Sequence, residues 1–179
     1  MDRALVLFWR KGYQATSLAD LLAAMGIGRS SFYAAFTDKR SLFIHCLDLF
    51  AQRTTGLIDG ASANRPPLDA LQDFFERSFV GTPSPRDHWG CMMVNSVTEL
   101  AGVDDDLAGR ASQYLAALQK RFQMMLEDAG AAPAQAEELA ALLMLINEGI
   151  RVSSRRRLPG EQLRQPITAT FRLIRSAVA

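Results

Sequence analysis

The sequence predicts an all-α protein of about nine helices, and three observations carry that prediction. Apolar residues recur at three- and four-residue spacing along most of the chain. Glycines and prolines fall where those stripes stop or start, as at Gly12, Gly26, Gly130 and Pro133. Charge runs sit where a helix dipole favours them, Asp104 to Asp106 at one helix start and Arg155 to Arg157 at one helix end. With 179 residues, 49% of them hydrophobic and 22% charged, the chain can bury a real core and is too apolar to be disordered in bulk.

Taken in order, the opening helix is Asp2 to Lys11, with Leu5, Phe8 and Trp9 as its apolar stripe and Gly12 ending it. Thr16 and Ser17 can each cap the next helix through a hydroxyl, and Leu18, Leu21, Leu22 and Met25 follow at helical spacing. Gly26 closes that helix and Ile27 plugs the corner. A third helix starts near Gly28 and Arg29 and turns Phe32 and Phe36 inward, which leaves Ser30, Tyr33, Ala34 and Thr37 on the opposite face. A long helix from Asp38 to about Asp59 follows, with Leu42, Phe43, Cys46, Leu47, Phe50 and Leu57 inward. Gly60 to Pro67 and Gly81 to Arg86 read as loops flanking an aromatic-rich helix, Leu68 to Phe79. Gly90 to Leu100 is a helix with Met92, Asn95 and Glu99 on one face and Cys91, Val94 and Thr98 on another. Two long helices, Asp104 to Ala129 and Pro133 to Arg156, come next. After Pro159 and Gly160 the last helix carries Ile167, Phe171, Ile174 and Val178.

Thr16 to Lys39 is therefore two short helices joined by a glycine-bearing turn, the shape of a helix-turn-helix. A helix entering a major groove about 12 Å wide needs small residues on its outer face and one or two long donors, a description that Ser30, Ser31, Ala34 and Arg29 meet. Arg29 lies at the helix start, where its planar fork can address guanine O6 and N7 together. Tyr33 and Lys39 are placed for phosphates, and backbone N–H groups at Thr16 and Ser17 offer another phosphate contact. An ordinary helical hairpin with solvated Arg and Lys has the same spacing, so spacing alone leaves both readings open.

The block from Ala4 to Phe43 resembles the DNA-binding domain of the tetracycline-repressor (TetR) family. The matching positions are Phe8 to Gly12, Thr16-Ser17, Ala23 to Ile27, and Tyr33, Phe36, Lys39 and Leu42. The match departs at Gly28, more often Ser in the family, and at Thr37, often Gly or Pro. Gly90 to Glu99 is similar to the Gly-Cys-x-x-Val-Asn-x-x-x-Glu segment of one TetR subgroup. The resemblance implies a helix-turn-helix domain at 1–47, an effector-binding and dimerisation domain at 48–179, and a homodimeric repressor on a palindromic double-stranded operator. It also implies a C-terminal pocket for a small apolar or amphipathic effector. Phe74, Phe75, Phe79, Trp89, Met92, Phe122, Met125 and Met144 are its apolar candidates, and Asn95, Glu99 and Asn147 are the polar ones. Family dimers pair their last two helices, which here carry Leu139, Leu142, Ile146, Ile150, Ile167, Phe171, Ile174 and Val178.

Composition sets bounds on other functions. The net charge of +1 gives no global sign of nucleic acid, and the first fifty residues hold only six basic against four acidic side chains. Two cysteines, Cys46 and Cys91, make neither a disulfide framework nor a four-ligand zinc site, so no metal and no cofactor is expected. His88 and Cys91 lack the surround of a catalytic pair, and no enzyme is expected. Cys91 near a helix start supports a second reading, a thiol sensor of oxidants or electrophiles. A reading from another class is a helical interaction module without a DNA role. No apolar run approaches 18 residues, and a cytoplasmic protein is expected.

Overall fold

A computed structural model describes residues 1–62, 65–80, 88–156, 158 and 160–178. Among these residues the chain forms nine α-helices and no strand: α1 Asp2–Lys11, α2 Leu18–Met25, α3 Arg29–Ala35, α4 Lys39–Ser62, α5 Pro67–Phe79, α6 Met92–Leu100, α7 Asp105–Asp128, α8 Pro133–Ser154 and α9 Gly160–Val178. The predicted loop at 81–86 and the residues Arg157 and Pro159 lie outside the described residues.

The helices pack as two units, residues 1–53 with 91–113, and residues 54–90 with 114–179. Both α4 and α7 contribute to each unit. The first unit holds α1 to α3, the start of α4, all of α6 and the start of α7. Its core is built from Leu5, Phe8, Leu21, Phe32, Leu42, Phe43 and Leu47, none more than 2% exposed. Phe8 meets Phe43 edge-on at 4.9 Å, and Tyr13 lies 4.8 Å from the same ring, so α1 and the following turn are seated on α4. Asp104 caps α7 by accepting from Leu107 N–H, and that bond, followed by the Arg40 guanidinium, holds its carboxyl below the usual carboxylate range.

In the second unit the rings of Phe74, Phe75, Phe122 and Phe171 contact one another between α5, α7 and α9. Ile58, Leu71, Leu126, Leu143 and Ile167 fill the space around them. Arg175 fastens α9 to α5 through Asp69 at 2.8 Å and Gln72 at 2.9 Å. Pro166 lies within α9 and is exposed, so it removes one ladder hydrogen bond without burying the loss.

Two expectations about α4 need correction. Leu57 faces solvent and Ile58 is the buried residue, because the inward stripe advances by one position near the end of the helix. The helix also runs through Gly60 to Ser62, where the reading expected a loop. Ala61 is buried there and Ser62 Oγ donates to the Ile58 carbonyl, which offsets a glycine cost of about 1 kcal/mol.

Candidate nucleic-acid interface

Three local devices build the helix-turn-helix. Ser17 caps α2 by accepting from Asp20 N–H while Asp20 accepts from Ser17 N–H, a reciprocal capping box. The hydrogen bond from Lys11, at 2.6 Å, and those from Ser17 pull the Asp20 carboxyl down to about 2. Its contribution to the cap is therefore full above the ordinary carboxylate range and is lost as pH falls through about 2. Gly26 ends α2 in the left-handed region at φ 71°, where a side chain would be strained, and the chain re-enters helix at Arg29.

On α3 the expected faces are seen for Phe32 and the outer side chains, whereas Phe36, expected inward on the same helix, is half-buried and lies just past its end in extended backbone. Phe32 is completely buried, whereas Arg29, Ser30, Ser31, Tyr33 and Ala34 are exposed. Small side chains thus occupy the middle of the outer face, with Arg29 at its first helical position.

Three residues expected at DNA make structural bonds instead. Thr16 is fully buried, its hydroxyl donating to Gly12 O at 2.6 Å and its N–H to Tyr13 O. Ser17 N–H is likewise committed, to Asp20, so the expected backbone phosphate contact does not come from these two groups. Lys39 Nζ donates to the carbonyls of Tyr13 and Thr16, both at 3.1 Å, and lies 4.3 Å from the Tyr13 ring centre. It closes the corner between α1 and α2. Bonds from a charged donor are worth about 1.5–3 kcal/mol each, so Lys39→Met should lower the denaturation midpoint and cost roughly 2 kcal/mol. The salt dependence of DNA binding should stay unchanged; a phosphate contact would lower the slope instead.

Glu99, expected as a ligand residue, serves the same corner. Its carboxylate accepts from Tyr13 N–H at 3.0 Å and Gln14 N–H at 2.8 Å. The fit is close enough that a Cβ on Gly12 would lie 2.7 Å from Glu99 Oε2, and Gly12 itself has φ 87°. Glycine is thus required at this turn both for its backbone and for the carboxylate beside it. No periodicity signal marks Glu99 or Lys39 for this task, because their partners lie 86 and 26 residues away.

The other ligand candidates divide between the units. Met92 and Asn95 belong with Glu99 to the first, on α6, while Phe74, Phe75, Phe79, Trp89, Phe122, Met125, Met144 and Asn147 belong to the second. Phe74, Phe75 and Phe122 are core residues, at most 2% exposed, and Met125, Met144 and Asn147 are also buried. Of the dimer candidates, Ile150, Ile167, Phe171 and Ile174 are instead buried in the second unit's own core, where their stripe completes the packing of α5, α8 and α9. Leu139, Ile146 and Val178 are half-buried, and Leu142 is exposed. The solvent-facing apolar side chains on these helices are Leu142, Leu145 and Val152 of α8 and Leu173 of α9. The three on α8 fall within an arc of about 80° at helical spacing.

Cys91 is buried at the start of α6, and burial pushes the Cys46 thiol up to about 12, which disfavours a sensing thiolate at Cys46. No group of three or more metal-ligating side chains occurs among the described residues. Nor is any described helix long and apolar enough to cross a membrane.

A capped short helix, a left-handed glycine turn and a slim exposed second helix define a helix-turn-helix DNA-binding regulator. The family follows from comparison with known proteins. Residues 1–46 match the bacterial regulatory proteins of the tetR family, and residues 67–169 match the transcriptional regulator LmrA/YxaF-like C-terminal domain. The chain belongs to the TetR family of transcriptional regulators. It is 32% identical to the HTH-type transcriptional repressor ComR of Escherichia coli (strain K12), over 97% of this chain and 86% of that protein. It is also similar to the TetR family regulator CifR solved with 26 bp double-strand operator DNA, at 26% identity and a TM-score of 0.77 over 96% of this chain and 93% of that one. SCO4454 from Streptomyces coelicolor shares the fold, with a TM-score of 0.87 at 15% identity over 99% of this chain and 92% of that one. These relatives are regulators, and the chain is read as one and not as an enzyme.

Proposed function

We propose that this regulator is a cytoplasmic homodimeric repressor, held on a palindromic operator by two copies of α3 and released by a small effector in its C-terminal domain. The observation that carries the reading is the outer face of α3, where exposed Ser30, Ser31 and Ala34 surround Arg29 above a fully buried Phe32. Such a face lies close to base edges while the opposite face anchors it. Support also comes from ComR, named a repressor, and from CifR, solved on operator DNA. The functional division at residues 47 and 48 and the Gly-Cys-x-x-Val-Asn subgroup are part of the same proposal.

Two-fold symmetry calls for half-sites about 34–36 Å apart, or a multiple of that distance. Arg29 reads a base and Tyr33, 54% exposed, reaches a phosphate. The exposed apolar side chains Leu142, Leu145, Val152 and Leu173 are the surface that a second copy covers. An effector releases the operator only to the extent that it prefers the released conformation, and α4 and α7, continuous through both units, are the elements it acts on.

Selecting ligands from a random DNA pool tests this reading directly. A palindrome should emerge with the wild-type protein. Arg29→Ala should cost about 1–3 kcal/mol at one base pair per half-site and relax the preference there, measured by gel shift on single-base variants of the selected site. Recovery of no preferred sequence, or of the same preference with Arg29→Ala, would refute the role given to α3.

A further inference from the structure

Arg151 in the last turn of α8 is a buried cation without a counter-ion among the described residues. It is 8% exposed, and no described carboxylate pairs with it. Its Nε donates to Asn147 Oδ1 at 3.1 Å, and its guanidinium carbon lies 4.8 Å from the centre of the Phe79 ring. Asn147 is completely buried, so the bond fixes the guanidinium in place. The four N–H groups on Nη1 and Nη2 have no acceptor among the described residues. Buried charges in proteins are normally paired, and an unpaired one is costly.

The surroundings give the site its character. Phe79 ends α5 and contacts Phe75, Asn147 lies beside Met144, and Ser154 Oγ donates to the Arg151 carbonyl. Gly160, which begins α9, adjoins the end of α5, since a Cβ there would lie 3.7 Å from Val80 Cα. The dipole at the start of α9 thus adds positive potential near the same helix ends. The Phe79 ring and the carbonyl end of α8 make the charge tolerable, but neither uses the terminal guanidinium donors. Two parallel N–H groups on one rigid plane match a carboxylate.

We propose that Arg151 is the anion-binding group of the effector site and that the effector is a small amphipathic carboxylate. Its charged end pairs with the Arg151 guanidinium and its apolar body lies against Phe79 and the neighbouring side chains. This rests on the reading of the protein as an effector-released regulator, and narrows the effector from any apolar or amphipathic molecule to an anionic one.

The test uses the full chain with decanoate and 2-naphthoate, each set against its neutral counterpart, 1-decanol and 2-naphthylmethanol. Affinity is read by calorimetry and by the melting-temperature rise. Wild-type protein should bind each carboxylate at least about tenfold more tightly than its alcohol, the loss expected when one charged hydrogen-bonding partner is removed. Arg151→Met should lose that preference while its alcohol affinity stays within about twofold, and Arg151→Lys should keep part of it. Equal binding of acid and alcohol by wild type, no binding of either carboxylate, or a preference surviving in Arg151→Met would overturn the assignment. A gel shift on the selected operator accompanies each variant. Operator binding without a carboxylate effect refutes only the role of Arg151, whereas absence of operator binding by wild type refutes the regulator reading beneath it.

Discussion

Glu99→Ala should lower the stability of the first unit by about 3 kcal/mol and weaken operator binding at least about tenfold, although Glu99 lies on α6 and not in the helix-turn-helix. Its carboxylate takes the N–H groups of Tyr13 and Gln14, two donors that the turn after α1 leaves without a helical partner. Alanine strands both, and each bond to a charged acceptor is worth about 1.5–3 kcal/mol. The turn in question sets where α2 starts, and α2 in turn sets the angle at which α3 is offered. Glu99→Gln keeps a single acceptor oxygen and should retain about half the stability, which separates loss of the bonds from loss of bulk. Denaturant unfolding and an operator gel shift would read the two effects. Unchanged values for Glu99→Ala would mean that water replaces the carboxylate at no cost. A parallel Glu127→Ala, at an exposed position of α7, should change neither measurement.

On the proposed dimer, Leu145→Arg should give a monomer and reduce operator affinity by two to four orders of magnitude. Leu145 is 66% exposed and Leu173 69%, values that make them costly to leave in water and inexpensive to the protein's own core when replaced. A palindromic site gains its affinity from two linked contacts, and unlinking them removes roughly 10²–10⁴ of avidity. Sedimentation at micromolar concentration gives the assembly state, and the gel shift gives affinity. Ile167→Ala is the informative contrast. Because Ile167 is completely buried in the second unit, its truncation should cost about 2–5 kcal/mol of stability without shifting assembly at temperatures where the protein stays folded. A dimer persisting with Leu145→Arg would remove this face from the interface.

The contrast between Leu145 and Ile167 also marks how far the sequence could be read. Helix number and most helix ends, the end of α4 excepted, were legible because their causes are local: Gly12 and Gly26 carry positive φ, Pro133 opens α8, and Asp104 caps α7. The outer face of α3 was legible for the same reason, since one buried phenylalanine fixes the rotation of a seven-residue helix. Apolar stripes on α8 and α9 were visible as stripes. Period alone, however, does not say whether a stripe faces the chain's own core or a second copy, and Ile150, Ile167, Phe171 and Ile174 face the core. Lys39, Glu99 and Arg151 are charged residues whose roles depend on distant partners or on burial. In sequence each has the appearance of a solvated side chain.

The outer face of α3 has one more consequence. The side chains of Ser30, Ser31 and Ala34 are exposed and take no part in holding α3, which is anchored from behind by Phe32. Substitutions at such positions usually change stability by less than about 0.5 kcal/mol. If α3 reads DNA as proposed, the part of the molecule that discriminates one DNA sequence from another is nearly free to vary, and a few changes that the scaffold does not register would retarget it to a new site.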